Sequence, residues 1–123
     1  MTVRLLTMRE RGREVTDSAL EARVLQVLRK AGLPEPEQLF LVTTDDEFIA
    51  EVDFAYPKQR LAIQADGYRY HSSRKAWSDD RDRLSNLAAN GWRVIHATWK
   101  DVTTGEADFV ARVRRALRGS VRG

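Results

Sequence analysis

Apolar residues recur at helical spacing through Leu20, Val24, Val27, Leu28 and Ala31, and the pattern then shifts to short runs with a period of two. Ser18-Ala19-Leu20-Glu21 reads as a capping box at the start of the first stretch, and Gly32 with Pro34 closes it. An amphipathic helix of roughly four turns is predicted. Gln38 to Val42 and Phe48 to Tyr56 flank the polar stretch Thr43 to Glu47, which has hairpin length, so two antiparallel strands follow the helix. Pro57-Lys58-Gln59 makes a turn, and Arg60 to Ala65 forms a third strand that stops at Asp66-Gly67. A second helix begins at Trp77 or Ser78, with Asp79 and Asp80 in its first turn, Leu84, Leu87 and Ala88 on one face, and Gly91 as its stop. Trp92 to Thr98 is a fourth strand, and Glu106 to Leu117 a third helix with Phe109, Val110, Val113 and Leu117 inward.

The predicted order is α-β-β-β-α-β-α, with a helix crossing between the third and fourth strands. It implies an α/β domain in which a mixed central sheet is flanked by helices. Residues 1–15 fall outside that scheme as an arm or linker remnant, which leaves 16–123 as the domain.

With 123 residues and 42% hydrophobic composition, the chain can build one core and not two. No apolar run is long enough to span a bilayer, and the basic start lacks the apolar stretch of a signal peptide, so a soluble cytoplasmic protein is expected. The absence of cysteine removes disulfides and zinc-thiolate sites together. Any metal must then be held by oxygen or imidazole, which suits Mg2+ or Mn2+.

A net charge of +3 is modest, but the basic residues are unevenly placed. Arg112, Arg114, Arg115 and Arg118 follow one another with no acid between them. Two readings stand: a phosphate-facing surface, or a solvated helix end whose cations offset the helix dipole.

Carboxylates gather where strands end. Asp53 lies within an apolar strand, where burial is costly unless the group is paired or binds a metal. Antiparallel pairing of the second and third strands could bring position 53 close to Gln64, and alternation puts positions 64 and 66 on one face.

The blocks Val52-Asp53-Phe54, Leu61 to His71 with its Gln64-Ala65-Asp66-Gly67 core, Asp80 and Arg83 with Leu87, and Gly91-Trp92-Arg93-Val94 carry a resemblance. In this order and spacing they resemble the PD-(D/E)XK nuclease superfamily, closest to the very short patch repair (Vsr)-like endonuclease domains of bacteria. The resemblance implies a restriction-endonuclease-like fold in which Asp53 and residue 64 hold Mg2+ or Mn2+ and Glu21 assists through water. It implies that His71 stands beside the scissile phosphate as general base or charge stabiliser, that Asp66 occupies a slot many members fill with lysine, and that Arg69 contacts nucleic acid. DNA is the implied substrate, with a recognition module or a second copy as partner.

Two departures from that pattern bear on activity. Gln64 stands where glutamate is usual, so one neutral oxygen replaces a charged carboxylate, and the lysine is absent. Metal-dependent strand cleavage and a catalytically silent DNA-binding module on the same fold are therefore both open. Glu21 is equally readable as the capping partner of Ser18, and His71 as a packed loop histidine.

Overall fold

A computed structural model describes residues 8–66 and 74–119, with side chains described for 18–66 and 81–119. The elements are α1 (Met8–Lys30), β1 (Glu37–Thr44), β2 (Glu47–Tyr56), a 3-10 turn (Pro57–Gln59), β3 (Leu61–Ala65), α2 (Arg74–Ala89), β4 (Arg93–Ala97) and α3 (Glu106–Gly119). One four-stranded sheet has the order β1-β2-β3-β4. The first two pairings are antiparallel, and β3 and β4 pair in parallel through the α2 crossover. The sheet is mixed, as the order of elements requires.

The apolar residues form two layers. Leu20, Val24, Val27 and Leu28 of α1 and Phe109, Val110 and Val113 of α3 bury against Phe54, Tyr56, Leu61 and Ile63. On the other side Leu87 of α2 packs with Val42, Ala50, Val52, Ala55 and Ala62, and Phe40, Trp92 and Val94 close that layer. Removing this much apolar surface from water is the main stabilising term.

Gly32 and Gly91 end α1 and α2 in the same way. Both have positive φ, and the next residue donates to the carbonyl five back, Leu33 to Leu28 and Trp92 to Leu87. These are Schellman caps, which need a residue that tolerates the left-handed region. The β1–β2 connection is tighter than the predicted loop, because Asp45 and Asp46 both have positive φ and alone make the turn. A primed two-residue turn matches strand twist, and aspartate enters that region more readily than most residues.

Two helix starts differ from expectation. The helix α1 begins at Met8, so residues 8–15 are helical rather than an arm, and the Ser18-Glu21 capping box lies inside the helix. The preceding helical turn supplies the carbonyl acceptors that the box would have provided. The helix α2 begins at Arg74, which moves Asp79 and Asp80 out of its first turn.

Tyr56 joins the end of β2 to the α1–β1 connection, its hydroxyl donating to the Pro34 carbonyl at 2.8 Å. Burial, helped by the charge of Glu35, pushes its pKa from 10.0 up to about 12. The unfolded chain therefore releases this proton first, so the stabilisation is intact below pH 10 and is lost as pH rises toward 12. Urea unfolding across that range should show a steep alkaline loss that Tyr56→Phe removes.

The alternation of β2 slips at Asp53. Ala50 and Val52 face the α2 layer, yet Phe54 and Tyr56, at the same parity, face α1 and α3. Directly across on β1, Leu39 has φ of 49° and is 62% exposed. A left-handed leucine costs roughly 1–2 kcal/mol, with little burial to offset it. Leu39→Gly should leave stability equal or raise it by up to about 1 kcal/mol, while the β-branched Leu39→Val should lower it, as measured by chemical denaturation.

Candidate active site

The β2–β3 ladder pairs Phe54 with Ile63, Ala55 with Ala62 and Tyr56 with Leu61. One step further, side chains replace main chain. The Asp53 N–H donates to Gln64 Oε1 at 2.7 Å, and the Ala65 N–H donates to Asp53 Oδ2 at 2.8 Å. The two strands thus part at a fork whose orphaned amides are satisfied by the acid and the amide that the strands themselves carry. Gln64 is the buried polar residue of the described core at 8% exposure, and Asp53 is half-buried.

On the opposite edge of β3, parallel pairing continues to the strand ends, setting Gln64 beside His96 and Ala65 beside Ala97, with the Asp66 N–H donating to the Ala97 carbonyl at 2.8 Å. Neighbours in parallel register share a face, and alternation adds Asp66 to it. His96 Nδ1 lies 3.4 Å from Asp66 Oδ2. The sequence offered only a histidine among apolar strand residues as a signal, and without the parallel register nothing connected it to position 66.

The expected site residues are distributed as follows. Asp53 and Gln64 meet at the C-terminal end of β3, where open α/β sheets bind ligands, and Asp66 follows directly after that strand. Glu21 is half-buried on α1, the helix that packs on β3, and has an interaction of its own. Its capping role is excluded by the earlier start of α1. His71 and Arg69 lie outside the described residues.

Of the α3 arginines, Arg114 donates to the Ala31 carbonyl at 2.7 Å and so closes the end of α1, and Arg112 stands 3.9 Å from Asp101. Arg115 and Arg118 are exposed. The basic run thus serves two purposes, and only part of it faces solvent unengaged.

The fork suits a hard cation in kind, since its donors are oxygens. It is short in number: among the described residues no three His, Asp or Glu side chains stand close enough to hold a metal ion. Asp53 offers a charged carboxylate there, and the Gln64 oxygen, already accepting one N–H, has one lone pair left. Mg2+ tolerates such a site, because it binds through one or two carboxylates and completes its shell with water and substrate phosphate.

The mixed four-stranded sheet flanked by helices is a restriction-endonuclease-like fold. Among solved structures, the catalytic domain of the homing endonuclease I-Bth0305I superposes with a TM-score of 0.63 at 20% identity, over 83% of this chain and 96% of that one. The REase_MTES_1575 family model matches residues 20–117, and the chain belongs to that family. Uncharacterized proteins MT2308 and Rv2248 of Mycobacterium tuberculosis are each 29% identical over 101 residues, covering 82% of this chain. The match spans 37% of the length of those relatives.

The arginine geometry separates structural from surface roles. Arg114→Ala should lower stability by about 1 kcal/mol in urea unfolding, since it removes a charge-assisted bond to a helix-terminal carbonyl that solvent partly replaces. Arg115→Ala should leave stability within about 0.5 kcal/mol of the parent, as expected for a free surface position.

Proposed function

We propose that this chain is the catalytic domain of a metal-dependent DNA endonuclease of Vsr-like type, which hydrolyses phosphodiester bonds and nicks one strand. The observation that carries the reading is the fork, where Asp53 and Gln64 are locked to each other's strands at the end of β3. A rigid frame of this kind holds a carboxylate in place without needing ligand to order it, which is what preorganised catalysis requires. Family membership and the endonuclease fold support the same class.

In this reading Asp53 is the charged ligand of Mg2+ or Mn2+, Gln64 a weak one, and Glu21 assists from α1. When bound, the cation would polarise the scissile phosphate. His71 and Arg69, which follow Asp66 in the sequence, act on the phosphate, and Arg115 and Arg118 add sequence-independent affinity through counterion release. The small domain leaves sequence recognition to another module or a second copy, and the greater length of the mycobacterial relatives is consistent with an attached module. No helix among the described residues is long and apolar enough to cross a membrane, and a cysteine-free chain suits the cytoplasm we assign to it.

A second reading, a DNA-binding module without catalysis, is favoured by one observation: the single Gln64 oxygen is already engaged by a main-chain amide. Gln64→Glu separates the two. The variant keeps one oxygen for the Asp53 N–H and turns a second, charged oxygen outward. Its melting temperature should rise with added Mn2+ more than that of the parent, because ligand that binds only the folded state stabilises it. Plasmid nicking in Mg2+ or Mn2+ should rise at least tenfold, and Asp53→Ala in the same background should abolish it. A variant that gains neither metal-dependent stability nor nicking, on duplex, mismatched or single-stranded DNA, assigns the chain to the binding module.

A further inference from the structure

We propose that His96, oriented by Asp66, is the proton acceptor that activates water at this site, in the role left open by the missing lysine. The proposal rests on the nuclease reading and goes beyond it, since it names the group that moves the proton.

Three features converge on His96. Parallel register puts it next to Gln64 on the same face of the sheet, one strand away from the fork. Its Nδ1 is the ring atom turned to Asp66, 3.4 Å from Oδ2, within reach of a hydrogen bond that a small ring rotation would close. Its side chain is 42% exposed, against 22% for Asp66. A carboxylate on Nδ1 favours the tautomer with the proton on that nitrogen and leaves Nε2 as a bare acceptor, which is how buried aspartates orient catalytic histidines.

The strand that carries His96 is also held firmly at its exit. Thr98 N–H and its hydroxyl both donate to Asp101 Oδ2, at 2.9 and 3.0 Å, and Arg23 of α1 donates to the Val102 carbonyl at 2.9 Å. Asp66 is fixed from its own side by the Ala97 carbonyl. Both members of the pair therefore sit on main chain that hydrogen bonds hold to a neighbouring strand.

The chemical step balances without a redox partner. His96 Nε2 takes one proton from a water molecule as that oxygen forms a bond to phosphorus. The opposite phosphorus–oxygen ester bond breaks, its electron pair leaves with the sugar oxygen, and that oxygen takes a proton from solvent. Asp66 stabilises the imidazolium until it returns its proton to water.

The test uses the full chain carrying Gln64→Glu, with Mn2+ and supercoiled plasmid, and compares His96→Gln, Asp66→Asn and Asp66→Glu added to it. Glutamine preserves much of the shape and polarity of histidine but cannot accept the proton. His96→Gln should slow cleavage about a hundredfold or more, the usual scale for a lost general base, with DNA affinity by fluorescence anisotropy changed less than about threefold. As a positioning residue, Asp66 should lose less, and Asp66→Glu should recover part of what Asp66→Asn removes. Independently of any activity, nitrogen-15 NMR of the parent with a neutral ring should show His96 protonated at Nδ1 and bare at Nε2. Cleavage that survives His96→Gln, or a ring protonated at Nε2, overturns the proposal and leaves the nuclease reading standing. Absence of cleavage in both parent and Gln64→Glu overturns the two together.

Discussion

The exchange at the end of the β2–β3 ladder is the contact on which the rest of the site depends. Two strands cannot separate inside a protein without orphaning main-chain amides, and buried orphans are costly. Here Asp53 and Gln64 each satisfy an amide of the opposing strand, so the fork can open while its hydrogen bonds remain complete. The same two side chains are the ones the proposed chemistry would use. Structure and function therefore compete for their oxygens, and a carboxylate with two equivalent oxygens can serve both uses where an amide with one oxygen is strained to do so.

The fork also explains the phase slip in β2. Before Asp53 the inward residues face α2, and after it they face α1 and α3, which places the acid at the crossing between the two apolar layers rather than within either. A half-buried carboxylate at such a crossing avoids most of the cost of full desolvation. The left-handed Leu39 opposite is the strain that accompanies this arrangement, in keeping with the tendency of strained backbone to collect beside functional groups.

Most of the architecture was legible because periodicity is a local property. Leu20 through Leu28 reads as a helix and Phe48 through Tyr56 as a strand from spacing alone, and Gly32 and Gly91 mark helix ends by a conformational need that the structure meets in the same way. Asp53 stood out for a thermodynamic reason, a charge among apolar neighbours, and its proximity to Gln64 followed from antiparallel pairing. What was not legible was non-local or depended on competition between signals. Ser18 with Glu21 forms a sound capping box, yet the residues before it continue the helix, so the box is never used. The role of Arg114 at the Ala31 carbonyl required knowing that α3 ends up beside α1. The approach of His96 to Asp66 was not legible because the parallel partner of a strand across a helical crossover cannot be read from its own residues.

The parallel pairing of β3 with β4 has a kinetic consequence. Asp53 and Gln64 lie on strands joined by a short turn, so their meeting closes a small loop, whereas His96 reaches Gln64 and Asp66 only after the whole α2 crossover has docked. Short loops close early and long ones late, because closure entropy must be overcome before distant contacts reward it. The half of the site that frames a carboxylate is thus assembled early in folding, and the half that carries the histidine is completed late.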